Sequence, residues 1–338
     1  MSSFENPFRF NRPESKTEQL NPAEIFGIVD PEDVYKPERI PVVEHYIGLS
    51  DIHNDLKSAI ASLERSGITD NDGEWLPDVS GIHLVVTGDS INKQNPDTSV
   101  LKLLRHLKRK APLGCEVTVL VGNHELDLLI REAQEKPTGL KNKHIEFLAE
   151  FGVVHKKGPV LFTHRYPTEE MLEEMVQQYE EFAGDVDPSE WLINERFTQA
   201  VATMKDSPEE SVAVFEECNY GGEGGGIMGE SEESYYRNQA DKVKLLLAKL
   251  GVTTVVHGHK KQTSGGQKFE NYIPGICMIN IDAAIASDKN PDGNHRIGYL
   301  DVKVREDGSV EASSKYKNKI GKGKLKTQDV VTSTSTIN

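Results

Sequence analysis

Short apolar runs separated by turn residues set the rhythm of the chain from about residue 41 onward. Val42 to Leu49 reads as a strand, as do His83 to Val86, Val117 to Val121, Val160 to Phe162, Thr253 to Val256, Ile276 to Ile281 and Ile297 to Val304. Brief apolar runs of this kind, bounded by turns, fit strands buried on both faces. Between them the apolar period shifts to that of a helix. Leu56, Ile60 and Leu63 share one face of a predicted helix from Asp55 to Arg65, and Gly67 suits its end. Further helices are predicted over Val100 to Lys110, about 141–151, and Asp241 to Leu250 with Gly251 as its cap. Strands alternating with helices predict an α/β (α+β) architecture. Consecutive strands in the second half predict a sandwich of mixed sheets.

Other stretches break this rhythm. Residues 1–40 are polar with scattered prolines and read as an N-terminal arm. Within about 167–217, Met171, Leu172, Met175, Val176, Tyr179 and Phe182 repeat at helical spacing among many glutamates. A second helix is expected to start near Pro188-Ser189, so this region reads as a helical insertion. Its apolar stripe suits a core, and its acidic side suits a protein partner. The glycine run from Gly221 to Gly226 is either a connector or a loop that brings its amides to a phosphate. From 312 to 338 the sequence turns lysine-rich, then Ser/Thr-rich, and reads as a flexible tail. Residues 41–311 are left as the folded domain.

Composition narrows the class. Of 338 residues, 36% are hydrophobic and 28% charged, which fits a globular chain. No apolar run reaches the roughly 18 residues of a membrane span. Met1 to Asn21 lacks the apolar core of a classical signal peptide, so a cytoplasmic location is expected. Cys115, Cys218 and Cys277 are widely spaced, which predicts a reducing compartment and no disulfide framework. The net charge of −15 argues against nucleic acid as a partner. It also weighs, on its face, against any phosphate-bearing substrate.

The chemistry sits at the strand ends. Five predicted strands finish in residues of metal-ligand type: Asp51 and His53, Asp89, Asn123 and His124, His164, then His257 and His259. Ligands of α/β sheets bind beyond the carboxyl ends of the strands, so these residues can converge. Singly, each has a bland reading as a turn, a helix cap or a packed histidine. Jointly, the bland reading needs five coincidences. The mixed oxygen and nitrogen donors suit Mn, Fe or Zn better than Ca. They are too many for one tetrahedral ion, and fit two ions about 3.5–4 Å apart that share a carboxylate.

The order Asp51-Ile52-His53, Gly88-Asp89, Gly122-Asn123-His124-Glu125, His164 and Gly258-His259 resembles the calcineurin-like metallophosphoesterase superfamily. The resemblance spans about residues 45–305. Ser50 to His53, Gly122 to Leu126, Tyr235-Tyr236-Arg237, Val256 to Gln262 and Ile279 to Asp282 are most similar to the phosphoprotein phosphatase branch. Within that branch they look most like the Shewanella-like protein phosphatases. The resemblance implies a mixed β-sandwich flanked by helices, with a helical insertion. It implies a metallophosphatase that hydrolyses phosphomonoesters, most simply a Ser/Thr or Tyr protein phosphatase, with a phosphoprotein or phosphopeptide as substrate. It further implies a binuclear metal centre, manganese being the ion expected in vitro, and a hydroxide activated by both ions. Asp51 and His53 would hold the first ion, Asp89 would bridge, and Asn123, His164 and His259 would hold the second. His124 would be the general acid and Arg237 a phosphate clamp, while His257 would pack or support the strand end. A dinucleoside polyphosphate hydrolase or phosphodiesterase of the same superfamily is the alternative. A catalytically weak binding module is a more distant one.

The departures from the family pattern lie in Gly88 to Gln94. Asn92 stands where an aspartate usually pairs with the acid histidine, leaving the partner of His124 open to Asp55 or Asp127. Lys93 stands where a clamping arginine is usual, and keeps the charge without the bidentate fork. Tyr166, close after His164, either narrows the pocket or packs. Asp282 ends a strand near the expected crevice and reads as structural. Two divalent ions with Lys93 and Arg237 would make the site locally cationic, so the global charge no longer counts against a phosphoester.

Overall fold

The computed structural model describes residues 42–94, 96–182, 191–219, 232–260, 268–270, 272–283, 285–286, 295–317, 320 and 324–332. The arm expected at 1–40, the helix start at Pro188-Ser189 and the Gly221–Gly226 loop lie outside the described residues.

Two mixed sheets carry the fold. The first contains β1 (Val42–Leu49), β2 (His83–Val86), β3 (Glu116–Val119), β9 (Ile297–Arg305), β10 (Val310–Lys317) and β11 (Lys326–Thr332), in the order β11-β10-β9-β1-β2-β3. The second contains β4 (Val154–Lys157), β5 (Val160–Thr163), β6 (Thr254–His257), β7 (Lys268–Glu270) and β8 (Cys277–Asn280), in the order β4-β5-β6-β8-β7. The strands β1, β2 and β3 run parallel, as do β5, β6 and β8.

Side chains of a strand alternate between its faces. Tyr46, Val85, Phe162, Val256, Ile279 and Leu300 point into the layer between the sheets. Their neighbours Ile47, Leu84, Leu161, Val255 and Met278 join the larger core on the helical side. That double burial is why these strands read as continuous apolar runs. Helices α1 (Leu56–Ser66), α2 (Ser99–Arg109), α3 (Asn123–Ala133) and α4 (Asn142–Leu148) connect the first strands. Asp55 caps α1 through Ser58 N–H, and Gly67 ends it at φ +81°. The helix α8 (Glu232–Lys249) leads into β6.

The region read as an insertion carries α5 (Glu169–Glu181), α6 (Leu192–Thr203) and α7 (Pro208–Cys218). The stripe Met171, Leu172, Met175 and Val176 is buried in the main core.

The expected tail differs most. Beyond Ala312 the chain continues as β10, paired antiparallel with β9, and then β11, paired with β10. The stretch holds few large apolar residues, so it reads as solvated. Small side chains do the burying: Ala312 and Ser314 go under the sheet, while Lys315 and Lys317 are partly exposed.

Candidate metal centre

The loops after β1, β2, β3, β5 and β6 bring the expected ligand residues to one end of the two sheets. The first two loops extend the strand pairing: Asp51 N–H donates to Gly88 O at 3.1 Å, and His53 N–H to Asp89 O at 2.9 Å. The loops are bent hard to do so. Asp51, His53, Asn54, Asp89 and His259 all have positive φ, between +47° and +68°. For residues other than glycine that region costs of order 1–3 kcal/mol each and persists where the surroundings enforce it. The motif glycines are needed for contact distance. A Cβ on Gly122 would lie 2.2 Å from Asp89 Oδ1, and one on Gly258 would lie 1.8 Å from Ser50 Oγ and 2.4 Å from Asp51 Oδ2.

Hydrogen bonds lock the loops to each other. The fully buried Glu125 carboxylate accepts from the N–H groups of Gly122 at 2.8 Å, Asp89 at 2.9 Å and Ile91 at 3.0 Å. His124 N–H donates to Asp89 Oδ1 at 2.9 Å, and His259 N–H to Asp51 Oδ2 at 2.9 Å. The Ser50 hydroxyl donates to Asp51.

The side chains meet at a cavity of about 220 Å³, lined by Asp51, His53, Asp89, Asn123, His124, His259 and Asp282. Asp89 lies between two groups. Its Oδ2 is 3.8 Å from both His53 Nε2 and His124 Nε2, and its Oδ1 is 3.5 Å from His164 Nε2. Candidate ligand atoms of His53, Asp89 and His124 all lie within 4.8 Å of one another, as do those of Asp89, His164 and His259. Asn123 Oδ1 is 3.1 Å from His164 Nε2 and 2.9 Å from His259 Nδ1. About 3 Å is the spacing of adjacent ligands on one ion held at roughly 2.1 Å. His164 does not itself line the cavity; its Nδ1 lies 2.8 Å from the Thr87 carbonyl, which only accepts, so Nδ1 carries the proton and the Nε2 lone pair faces Asn123 and Asp89. A larger cavity, about 810 Å³, lies between the edges of β3 and β4; among the described residues it gathers no such cluster.

Electrostatics fit a cation. Burial pushes the Asp51 carboxyl well up, and Asp282 and Asp89 add to the push. Burial, then Glu125, does the same to Asp89. Burial holds His164 down at about 3 and drives His259 down as well, so both imidazoles are neutral, as metal ligands must be. Buried carboxylates crowded together with neutral imidazoles and an amide oxygen make a donor set suited to divalent metal ions.

The remaining expected residues are placed as follows. Lys93 N–H donates to His124 Nδ1 at 3.1 Å, and Lys93 O accepts from Arg131 at 3.1 Å. Asn92 Oδ1 accepts from Gln94 N–H at 3.0 Å, closing a local turn. Asp55 caps α1 and pairs with His295, 2.7 Å away. Tyr166 is buried, its hydroxyl donating to Glu270 and its ring stacked on His257 at 4.1 Å. His257 is 1% exposed, outside the cavity wall, with Nε2 3.5 Å from Glu270. Arg237 lies on α8, and its side chain is outside the described residues.

Sequence reasoning missed some of the site. Asp282, read as structural, lines the cavity; it follows β8 much as Asp51 follows β1, and that strand-end position was the available signal. Arg165 places its charge on Asp89, His164 and His259, and its adjacency to His164 was the clue. Glu270 carried no signal, because its role depends on contacts far apart in sequence.

The family description of the calcineurin-like phosphoesterases matches residues 45–262, and the chain belongs to that family. Among curated proteins no sequence match is found. In fold the chain is similar to the cold-active protein-tyrosine phosphatase of a psychrophilic Shewanella species, with a TM-score of 0.52 and 18% identity over 80% of each chain. Another structure of a cold-active protein tyrosine phosphatase gives 0.53 and 20% identity over 80% of this chain and 78% of that one. At such identities the likeness is one of fold. The family uses a binuclear divalent metal centre, and the Asp and His groups described above could bind one. A metal-dependent phosphoesterase is the class that this fold and site define.

Proposed function

We propose that the protein is a phosphomonoesterase acting on phosphoproteins, through two divalent ions gathered around Asp89. One observation carries the reading: the two carboxylate oxygens of Asp89 face different histidine groups. Asp51 and His53 would join Asp89 on one ion, and Asn123, His164 and His259 would join it on the other. When bound, such ions supply Lewis acidity toward a phosphoryl group and acidify a coordinated water. Manganese is the first ion to try.

The chain's own groups do the rest. The Lys93 amide holds Nδ1 of His124, so a neutral ring carries its proton on Nε2, the atom facing Asp89. From there His124 would donate its Nε2 hydrogen to the leaving oxygen as negative charge builds on it, the place of a general acid, a role worth typically about 10²–10⁴-fold. Lys93, Arg165 and Arg237 are the cations we assign to the phosphoryl oxygens, where negative charge concentrates in the transition state. The acidic outer faces of α5 to α7 are proposed as a partner surface, and the cytoplasm as the location.

Motif resemblance to the phosphoprotein phosphatase branch supports a protein substrate. The similar folds of protein-tyrosine phosphatases put phosphotyrosine on the same panel as phosphoserine and phosphothreonine. The test is phosphate release from such peptides, from a dinucleoside polyphosphate and from a phosphodiester, each with Mn, Fe and Zn. Faster turnover of a phosphopeptide supports the proposal. Preference for the dinucleoside polyphosphate or the diester overturns the protein-phosphatase reading and leaves the phosphoesterase.

A further inference from the structure

Two buried glutamates hold this end of the molecule, and the metal-centre reading gives a task to one of them alone. Glu125 clasps the loops of the first sheet through three backbone amides. The second sheet has a counterpart in Glu270, the last residue of β7, which is 3% exposed.

Glu270 reaches two loops at once. The Tyr166 hydroxyl donates to its Oε2, and the same oxygen is 3.5 Å from His257 Nε2. Tyr166 comes two residues after His164, and His257 two residues before His259. The rings of Tyr166 and His257 stack at 4.1 Å with an interplanar angle of 39°. The backbones also touch: Gly258 N–H donates to His164 O at 2.9 Å. Burial by itself would raise the Glu270 carboxyl, yet His257, Tyr166 and Lys268 hold it down at about 2, so it sits there as an anion. A buried anion paired on several sides is costly to disturb, because removing one partner leaves the others uncompensated. None of these groups lines the cavity. Tyr166 and His257 lie on the segments that carry His164 and His259.

We infer that Glu270 is a positioning residue for the half of the site built from His164 and His259, tying the two loops into one body through Tyr166 and His257. The inference rests on the metal-centre reading, and its test separates the two. Outer contacts that orient metal ligands are worth about 10–100-fold in metal affinity.

The experiment uses the full chain, stripped of metal and titrated with Co²⁺ and with Mn²⁺. Ion affinities are read by calorimetry, and the visible Co²⁺ spectrum reports ligand geometry. Wild type, Glu270→Gln and Tyr166→Phe are compared, with circular dichroism as the check on folding. We expect both variants to fold, to bind one of two ions about 10-fold or more weaker, and to shift the Co²⁺ spectrum. Should Glu270→Gln fail to fold, Tyr166→Phe decides by the same two readouts. Variants that only melt lower, with wild-type affinities and spectrum, overturn the positioning role and leave the metal centre standing. A wild type that takes up neither ion overturns the metal reading itself.

Discussion

The backbone N–H of Lys93 donates to Nδ1 of His124 at 3.1 Å. An amide proton thus occupies this ring nitrogen, while the Asn92 side-chain oxygen turns to Gln94. With Nδ1 accepting, neutral His124 is a proton donor through Nε2. His124→Asn is expected to lower kcat by about 10²–10⁴ on a phosphoserine peptide. The loss should be smaller on an aryl phosphate whose leaving group needs no proton. Equal losses on both substrates, or loss of bound metal, would remove His124 from the role of acid.

Glu125 satisfies three N–H groups that have no route to water. Each buried donor left without an acceptor costs roughly 1–3 kcal/mol. Glu125→Ala is expected to destabilise the fold by about 3 kcal/mol in urea unfolding. A change of less than about 0.5 kcal/mol, the scale of an ordinary surface substitution, contradicts the clasp.

Glycines separate contact from conformation. Gly122→Ala pushes a methyl into Asp89, 2.2 Å from Oδ1. Metal uptake and turnover should both be lost. Gly158→Ala meets nothing within 4 Å and pays only for its φ of +55°, about 1–2 kcal/mol. It should keep full metal uptake. Metal binding that survives Gly122→Ala would show that the loops are looser than this packing.

Two sets of buried groups set the pH dependence of the metal-free chain, with opposite signs. Burial raises the carboxyls of Asp51, Asp89 and Glu125, so the folded state keeps protons that the unfolded state has released. Stability from these groups is complete below the unfolded carboxyl value of about 4, and is lost as pH rises above it. His164 and His259, held neutral by burial, contribute stability that is present above the unfolded histidine value of about 6.5 and lost below it. The carboxyl contribution is therefore read above that value: metal-stripped protein should melt lower at pH 8.5 than at pH 7, and added Mn²⁺ should narrow the difference. Asp282→Asn removes a neighbouring like charge from Asp51 and should raise the metal-free melting temperature. A metal-free chain that melts higher at pH 8.5 than at pH 7, with Asp282→Asn melting lower than wild type, goes against this account.

The strand-end cluster was legible because metal chemistry restricts residue type and a parallel sheet restricts place. Asp51, His53, Asp89, Asn123, His164 and His259 could be read from order alone. The helix α3 was seen only as a possible cap at Asn123, since its first turn is also the Gly122 to Glu125 motif. Strands β4, β10 and β11 were missed for a different reason. Val154–Lys157 holds two lysines, and β10 buries Ala312 and Ser314 instead of large side chains, so neither shows an apolar run. Glu270, Asp282 and Arg165 act through contacts set by tertiary structure. Tyr166 left pocket and packing readings equally open, and only its neighbours His257 and Glu270 place it.

Hydrolysis is proposed to depend on divalent ions held around Asp89. Phosphate release from a phosphopeptide should be measured with Mn²⁺, after EDTA and after Mn²⁺ is restored, for wild type and Asp89→Asn. Activity should vanish with chelation, return with Mn²⁺, and stay absent in Asp89→Asn together with metal uptake. Phosphate release that persists in excess EDTA would contradict the account.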